Sequence, residues 1–175
     1  MKAVVQRVRN ASVTVDGYLK GSIGFGLLVY LGVGQGDSFA DADWLAEKII
    51  NLRIFDDSEG KMNLSIGNFV NHYFDTVNEN NVNAGVLPVN DKSNVQKSGI
   101  LVISQFTLLG DVRKGRRPSW EKAAPPEKAK ELYEYFILKI REKGLLCESG
   151  EFQARMMVNY TNDGPVTILI DSGER

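Results

Sequence analysis

Leu27-Leu28-Val29-Tyr30-Leu31 is an unbroken apolar run, followed at once by the Gly-rich stretch Gly32-Val33-Gly34-Gln35-Gly36. A run of this length that does not alternate reads as a strand covered on both faces. Upstream, Val4, Val5 and Val8, then Val13 and Val15, sit among polar residues with partial period-two spacing. Asp16-Gly17 is a turn signal that fits a hairpin into residues 19–23. Downstream, Asp37 or Ser38 can cap a helix on which Trp44, Leu45, Ile49 and Leu52 recur at helical spacing, which predicts a helix over 39–53. A second apolar run, Ile100 to Ile103, leads from Gly99 into Ser104-Gln105-Phe106-Thr107-Leu108. Pro125-Pro126 opens another helix with Leu132, Tyr133, Phe136, Ile137 and Ile140 on one face, and Gly144 is a stop. Phe152, Ala154, Met156 and Val158 alternate as a strand, Asn162-Asp163-Gly164-Pro165 is a turn, and Val166 to Ile170 is the last strand. This order predicts mixed sheets with two helices packed on them.

Composition narrows the function classes. The chain has 175 residues, a net charge of −1 and 43% hydrophobic residues, which excludes a largely disordered chain and fits a single domain over 1–175. No apolar run reaches the ~18 residues of a membrane span, and Met1 to Arg7 breaks its apolar character too early for a signal peptide, so the expectation is a cytoplasmic protein without a membrane partner. A single Cys147 and a single His72 leave no disulfide, no cysteine-rich zinc site and no two-histidine metal site within the chain. The near-zero charge gives no global attraction to nucleic acid, so such a partner must be held by a local patch. Eight of the 13 asparagines fall between residues 67 and 98, which predicts an Asn-rich surface loop, with a short hairpin around Tyr73 to Val89.

Each candidate site has a plain alternative. Gly32 to Gly36 sits where a dinucleotide turn would, but Asp37 stands where G-x-G-x-x-G needs glycine, so a strand-to-helix turn is preferred. His72 reads as a surface residue and Cys147 as a small semi-buried side chain with no basic neighbour to activate it. Arg113, Lys114, Arg116 and Arg117 form either a solvated loop or a clamp on a phosphate backbone. Ser104 to Leu108 alone is a polar strand end, and Gly164-Pro165 alone is a turn.

Together, Ser104-Gln105-Phe106-Thr107 and Asn162-Asp163-Gly164-Pro165-Val166-Thr167 resemble the paired signature of the D-aminoacyl-tRNA deacylase (D-tyrosyl-tRNA deacylase) family. The resemblance runs nearly end to end, through Gln6-Arg7-Val8, Gly26 to Val29, Arg53-Ile54-Phe55-Asp56, Gly60 to Leu64 and Lys114-Gly115-Arg116-Arg117-Pro118-Ser119. The departures are an insertion at about 67–98 and Trp120 where phenylalanine is more usual. The resemblance implies an α/β (α+β mixed) fold with mostly antiparallel sheets, a barrel-like core and two main helices. It implies hydrolysis of the ester between a D-amino acid, or a mischarged glycine, and tRNA. It implies no metal or other cofactor, and a homodimer whose active sites lie at the subunit interface. It implies that Gly164 and Pro165, joined by a cis bond, enter the partner's pocket as a chiral wall, with Arg7, Asn162, Ala129 and Met156 in support.

An aminoacyl ester is already activated, so positioning and preorganised dipoles can supply much of the catalysis. Thr107 has no adjacent base to make it a nucleophile. The preferred roles are backbone amides around Phe106-Thr107 for an oxyanion, with Ser104 and Gln105 holding the terminal adenosine. The rival classes are a non-catalytic RNA- or DNA-binding module on the same fold, and an interaction protein that uses the Asn-rich segment as its contact surface.

Overall fold

The computed structural model describes residues 1–78 and 97–175. Their elements run β1 (Lys2–Val15), β2 (Tyr18–Ile23), β3 (Gly26–Gly32), α1 (Phe39–Ile50), β4 (Phe55–Asp56), β5 (Met62–Leu64), α2 (Ile66–Asn78), β6 (Gly99–Ser104), a 3-10 turn (Phe106–Leu109), α3 (Pro126–Glu142), β7 (Leu146–Ser149) and β8 (Met156–Asp171). β1 organises the main sheet. One of its edges pairs with β8 along nearly its whole length. The other pairs with β3 through residues 2–8 and with β2 through residues 11–15. These pairings are antiparallel, whereas β3–β6 and β6–β7 are parallel, so the sheet is mixed. It curls until β7 meets β2: a Cβ on Gly21 would stand 2.9 Å from the Ser149 carbonyl oxygen. The result is a nearly closed, barrel-like sheet.

The unbroken apolar run has the meaning expected of it. Leu27, Val29 and Leu31 face the helices, and Leu28 faces the inside of the curl. Ile100 and Val102 on β6 join the helix side, while Leu101 and Ile103 join Leu28, Val8 and Val13 inside. Ala42, Leu45, Ala46 and Ile49 of α1, with Leu132, Phe136 and Ile140 of α3, cover the outer layer, all nearly or fully buried. A fully buried Leu or Phe contributes roughly 1.5–3 kcal/mol, so these two helices are held by packing rather than by propensity. Local signals set their ends. The Asp41 carboxylate accepts from Ser38 N at 2.9 Å and Ser38 Oγ at 2.7 Å at the start of α1. Gly144, at φ +78°, follows α3.

Three expectations are corrected. Residues 66–78 are not loop but helix α2, with Ile66 and Phe69 buried and Phe69 stacked on Phe55 at 4.8 Å between ring centroids. That adds a third helix to the two expected. Residues 79–96 of the Asn-rich window, and with them the rest of the hairpin expected up to Val89, lie outside the described residues. Phe152 and Ala154 occupy a turn rather than a strand. The chain does not reverse at Asn162 to Pro165: β8 is one strand of 16 residues. Its register on β1 jumps from Val8↔Asn162 to Gln6↔Thr167, so four residues bulge out opposite Arg7.

Candidate active site

Strand β6 delivers Ser104 to the end of its parallel pairing with β3, opposite Leu31. Gln105 N then donates to Leu31 O at 2.8 Å, and the chain turns sharply into the Phe106–Leu109 helical turn. The turn lies so close to β3 that a Cβ on Gly32 would stand 2.9 Å from Gln105 O and 2.5 Å from Leu109 Cδ2. The first glycine of the Gly-rich stretch is therefore explained by backbone approach, with no nucleotide needed. Gly34 N donates to Asp37 Oδ2 at 2.6 Å, which completes a plain strand-to-helix turn.

A cavity of about 730 Å³ opens against this turn, within the size range of small-molecule sites. Ser104, Gln105 and Phe106 form one wall, Ala129 of α3 another, and Met156 of β8 a third. Thr107 is exposed beside it, its Oγ1 accepting from Gln105 Nε2 at 2.7 Å. The first N–H groups of a helical turn have no partner within the turn. Among the described residues, no acceptor faces the backbone N–H of Phe106 or Thr107. Tyr30 and Tyr133 also line it, and the sequence shows them only as members of apolar runs. Burial, then the neighbouring Tyr160, pushes the Tyr30 phenol up to about 12. The Tyr133 hydroxyl donates to Val102 O at 2.8 Å. Both phenols stay neutral at physiological pH.

The bulge of β8 carries the second motif. The Gly164-Pro165 bond is cis, and Gly164 has φ +117°, a conformation open to glycine. Asn162 Nδ2 donates to Arg7 O at 2.9 Å and to Val166 O at 3.0 Å, so one carboxamide closes the bulge from both sides. Arg7 is buried beneath it, donating from Nη1 to Ile54 O at 2.6 Å, with Nε 3.1 Å from Asp163 Oδ2. Arg7, expected to support the Gly-Pro turn, meets it through Asp163, which also receives Arg9 Nε at 3.0 Å. Asp163 is a residue of the motif to which the sequence assigns no role. Gly164 and Pro165 are absent from the walls of the cavity in their own chain.

Arg113 to Arg117 form an exposed loop whose base is closed by Asp111 and Ser119 through paired backbone bonds of 2.9 Å. Asp111 accepts from Arg113 Nε at 2.9 Å, and the Arg113 guanidinium holds the Asp111 carboxyl well below the usual carboxylate range. Among the described residues, Lys114, Arg116 and Arg117 make no ion pair. The other single residues fall away as chemistry. Cys147 is buried and its thiol is pushed up to about 12 by that burial, and His72 is on α2, outside the cavity wall. No cluster of metal-ligating side chains occurs among the described residues, and no helix among them is long and apolar enough to cross a membrane.

Comparison with known proteins shows the family. A family model described as D-Tyr-tRNA(Tyr) deacylase matches residues 4–74 and 76–171. The D-aminoacyl-tRNA deacylase of Koribacter versatilis (strain Ellin345) is 54% identical over 172 residues, covering 98% of this chain and 97% of the relative. That of Thermosipho melanesiensis (strain DSM 12029 / CIP 104789 / BI429) is 51% identical over 173 residues, with the same coverage of 98% and 97%. Among solved structures, one titled c-Myc DNA Unwinding Element Binding Protein superposes with a TM-score of 0.76 at 36% identity, covering 98% of each chain. A probable eukaryotic D-amino acid tRNA deacylase, at 15% identity and a TM-score of 0.69 over 97% of each chain, shares the fold. The chain is thus a hydrolase acting on the ester bond of aminoacyl-tRNA. More narrowly, it belongs to the D-aminoacyl-tRNA deacylase family.

Proposed function

We propose that the cavity beside Ser104-Gln105-Phe106-Thr107 takes the 3′-terminal aminoacyl-adenosine of D-aminoacyl-tRNA and cleaves its ester with water. The observation that carries this reading is the turn after β6, where the Phe106 and Thr107 N–H groups have no acceptor among the described residues. Two such donors suit the oxyanion that develops as the ester carbonyl is attacked. Ser104 and Gln105 hold the adenosine, and Thr107, tied to Gln105, positions rather than attacks. Ala129 and Met156 bound the space.

The active assembly is a homodimer in which each Gly164-Pro165 bulge enters the other subunit's cavity. The bulge's absence from its own cavity wall supports this arrangement. Arg7 and Asn162 hold the bulge, so the wall is rigid backbone. A rigid wall excludes one enantiomer by collision, which makes it strict on chirality and tolerant of side-chain identity. Glycine has no side chain to collide, so glycyl-tRNA is also a substrate. Arg113, Lys114, Arg116 and Arg117 contact the tRNA backbone, and the protein works in the cytoplasm.

The test is hydrolysis of matched D-Tyr-tRNA and L-Tyr-tRNA, with and without EDTA. Loss of the D-ester alone, indifferent to EDTA, is the expected result, and loss of both esters defeats the wall. The likeness to a structure titled as a DNA-unwinding-element-binding protein favours a second reading, a nucleic-acid-binding module without turnover. Tight tRNA or single-stranded DNA binding with neither ester cleaved selects it.

A further inference from the structure

Between the cavity and the basic loop stands an aromatic pair that the proposed chemistry does not use. Phe106 and Trp120 meet edge to face, with ring centroids 5.2 Å apart and planes at 74°. Both are large apolar side chains left open to solvent, Phe106 at 56% and Trp120 at 41% exposure. Phe106 belongs to the cavity wall, and so does Ala123, whose N–H donates to Trp120 O at 2.9 Å. Trp120 therefore stands just outside the mouth. On its other side the Asp111–Ser119 backbone pairing closes the loop that carries Lys114, Arg116 and Arg117. In the chain the cations lie between the two rings, Phe106 before them and Trp120 after them.

The ring is held in place from beneath. Gly110 lies against it so closely that a Cβ there would stand 2.7 Å from Trp120 Cζ3. Gly110 and Phe106 both pack against the indole, which keeps 41% of its surface open. A single-stranded nucleic acid is bound by this combination: aromatic faces that take unpaired bases and cations that follow the backbone. A tRNA ends in an unpaired C-C-A segment. If its terminal adenosine lies in the cavity, the base before it emerges at the mouth.

We propose that Trp120 is a stacking platform for the penultimate, unpaired cytosine of the tRNA 3′ end. This rests on the proposed deacylase site and deepens it, by assigning the nucleotide outside the cavity a residue of its own. The charge of the adjoining loop favours this occupant over an apolar one, because a second protein chain seated on Trp120 would also have to cover Lys114, Arg116 and Arg117.

Three substrates test it: D-Tyr-tRNA, the same tRNA with an abasic ribose at the penultimate position, and D-tyrosyl-adenosine ester. Base–aromatic stacking is of a size that makes Trp120→Ala weaken kcat/KM on D-Tyr-tRNA by roughly 5- to 150-fold, through KM. The abasic tRNA should cost the wild type a similar factor, and Trp120→Ala should add little to that loss. Trp120→Phe should recover most of it. The chain has two tryptophans, so a Trp44→Phe background leaves Trp120 as its only indole, and tRNA should quench its fluorescence while abasic tRNA should not. The proposal is overturned if Trp120→Ala is as effective as wild type on D-Tyr-tRNA. It is also overturned if the loss is equal on D-tyrosyl-adenosine, which would place the ring's role inside the cavity. A shift to monomer on sedimentation of Trp120→Ala would show the ring covered by a second copy, with the same consequence. Failure of wild type on every ester would instead remove the deacylase site, and the fluorescence arm would still decide the stacking.

Discussion

Asn162→Asp is the sharpest perturbation of the β8 bulge. The two side chains have the same shape, but an ionised aspartate donates no hydrogen bond. The wild-type amide donates twice, to Arg7 O at 2.9 Å and Val166 O at 3.0 Å. Each such bond contributes about 0.5–1.5 kcal/mol net, so the pair holds the bulge by about 1–3 kcal/mol. Aspartate also sets a carboxylate oxygen against two carbonyl oxygens, so it should cost more than Asn162→Ala, where water can reach the freed carbonyls. For a chain of this size 1 kcal/mol is about 2–4 °C in Tm, so a fall of about 2–12 °C is expected. D-Tyr-tRNA hydrolysis should fall with it, and amide exchange at Gly164 and Val166 should quicken. The sign with pH is specific. The repelled carboxylate protonates more readily in the folded than in the unfolded chain, and a protonated carboxyl regains one O–H donor, so the Tm gap between Asn162→Asp and wild type should narrow as pH falls toward about 4 and level off below it. A variant that matches wild type in Tm and turnover at pH 7 would refute the stapling argument.

Gly164→Ala forces an alanine to φ +117° with its Cβ 2.8 Å from Val166 Cγ2, so rejection of L-Tyr-tRNA or use of D-Tyr-tRNA should be damaged while the far-UV dichroism is kept; unchanged rates on both esters would count against the wall. Arg116→Ala and Arg117→Ala should each lower the slope of log K for tRNA against log salt by about one, and an unaltered slope would remove the loop from the tRNA interface. Thr107→Val should slow the reaction only about 2- to 13-fold, the worth of a positioning hydrogen bond; a trapped acyl-enzyme in the wild type would make Thr107 the nucleophile. Phe69→Ala should cost about 3–5 kcal/mol in urea unfolding, since Phe69 is buried against Phe55; a loss below 1 kcal/mol would mean that α2 is not part of the core.

The parts of the fold legible in the sequence are those where burial imposes a pattern. Leu27 to Leu31 and Ile100 to Ile103 are apolar throughout because layers lie on both sides of them. The spacing of α1 and α3 follows from one face on the sheet. Helix α2 was hidden because Asn68 and Asn71 face solvent, and their turn-forming preference outweighed the spacing of Ile66, Phe69 and Val70. Asn162-Asp163-Gly164-Pro165 has the composition of a reversal, and pairing with β1 on either side overrides it. The site was legible as two motifs, because each needs special backbone. The cavity's outline was legible only in part: the resemblance supplied Ala129 and Met156, whereas Tyr30 and Tyr133 read as members of apolar runs and line it only once the sheet curls.

β8 is 16 residues long and, among the described residues, pairs only with β1, which leaves its other edge without a strand partner there. A straight edge of that length would be a template for edge-to-edge aggregation. The bulge at 163–166 divides it into two short stretches out of line with each other, and Pro165 has no N–H to offer. The bulge proposed above to select the substrate thus also breaks up an edge that would otherwise invite fibril-like association. Removing the bulge to probe selectivity would test solubility in the same tube.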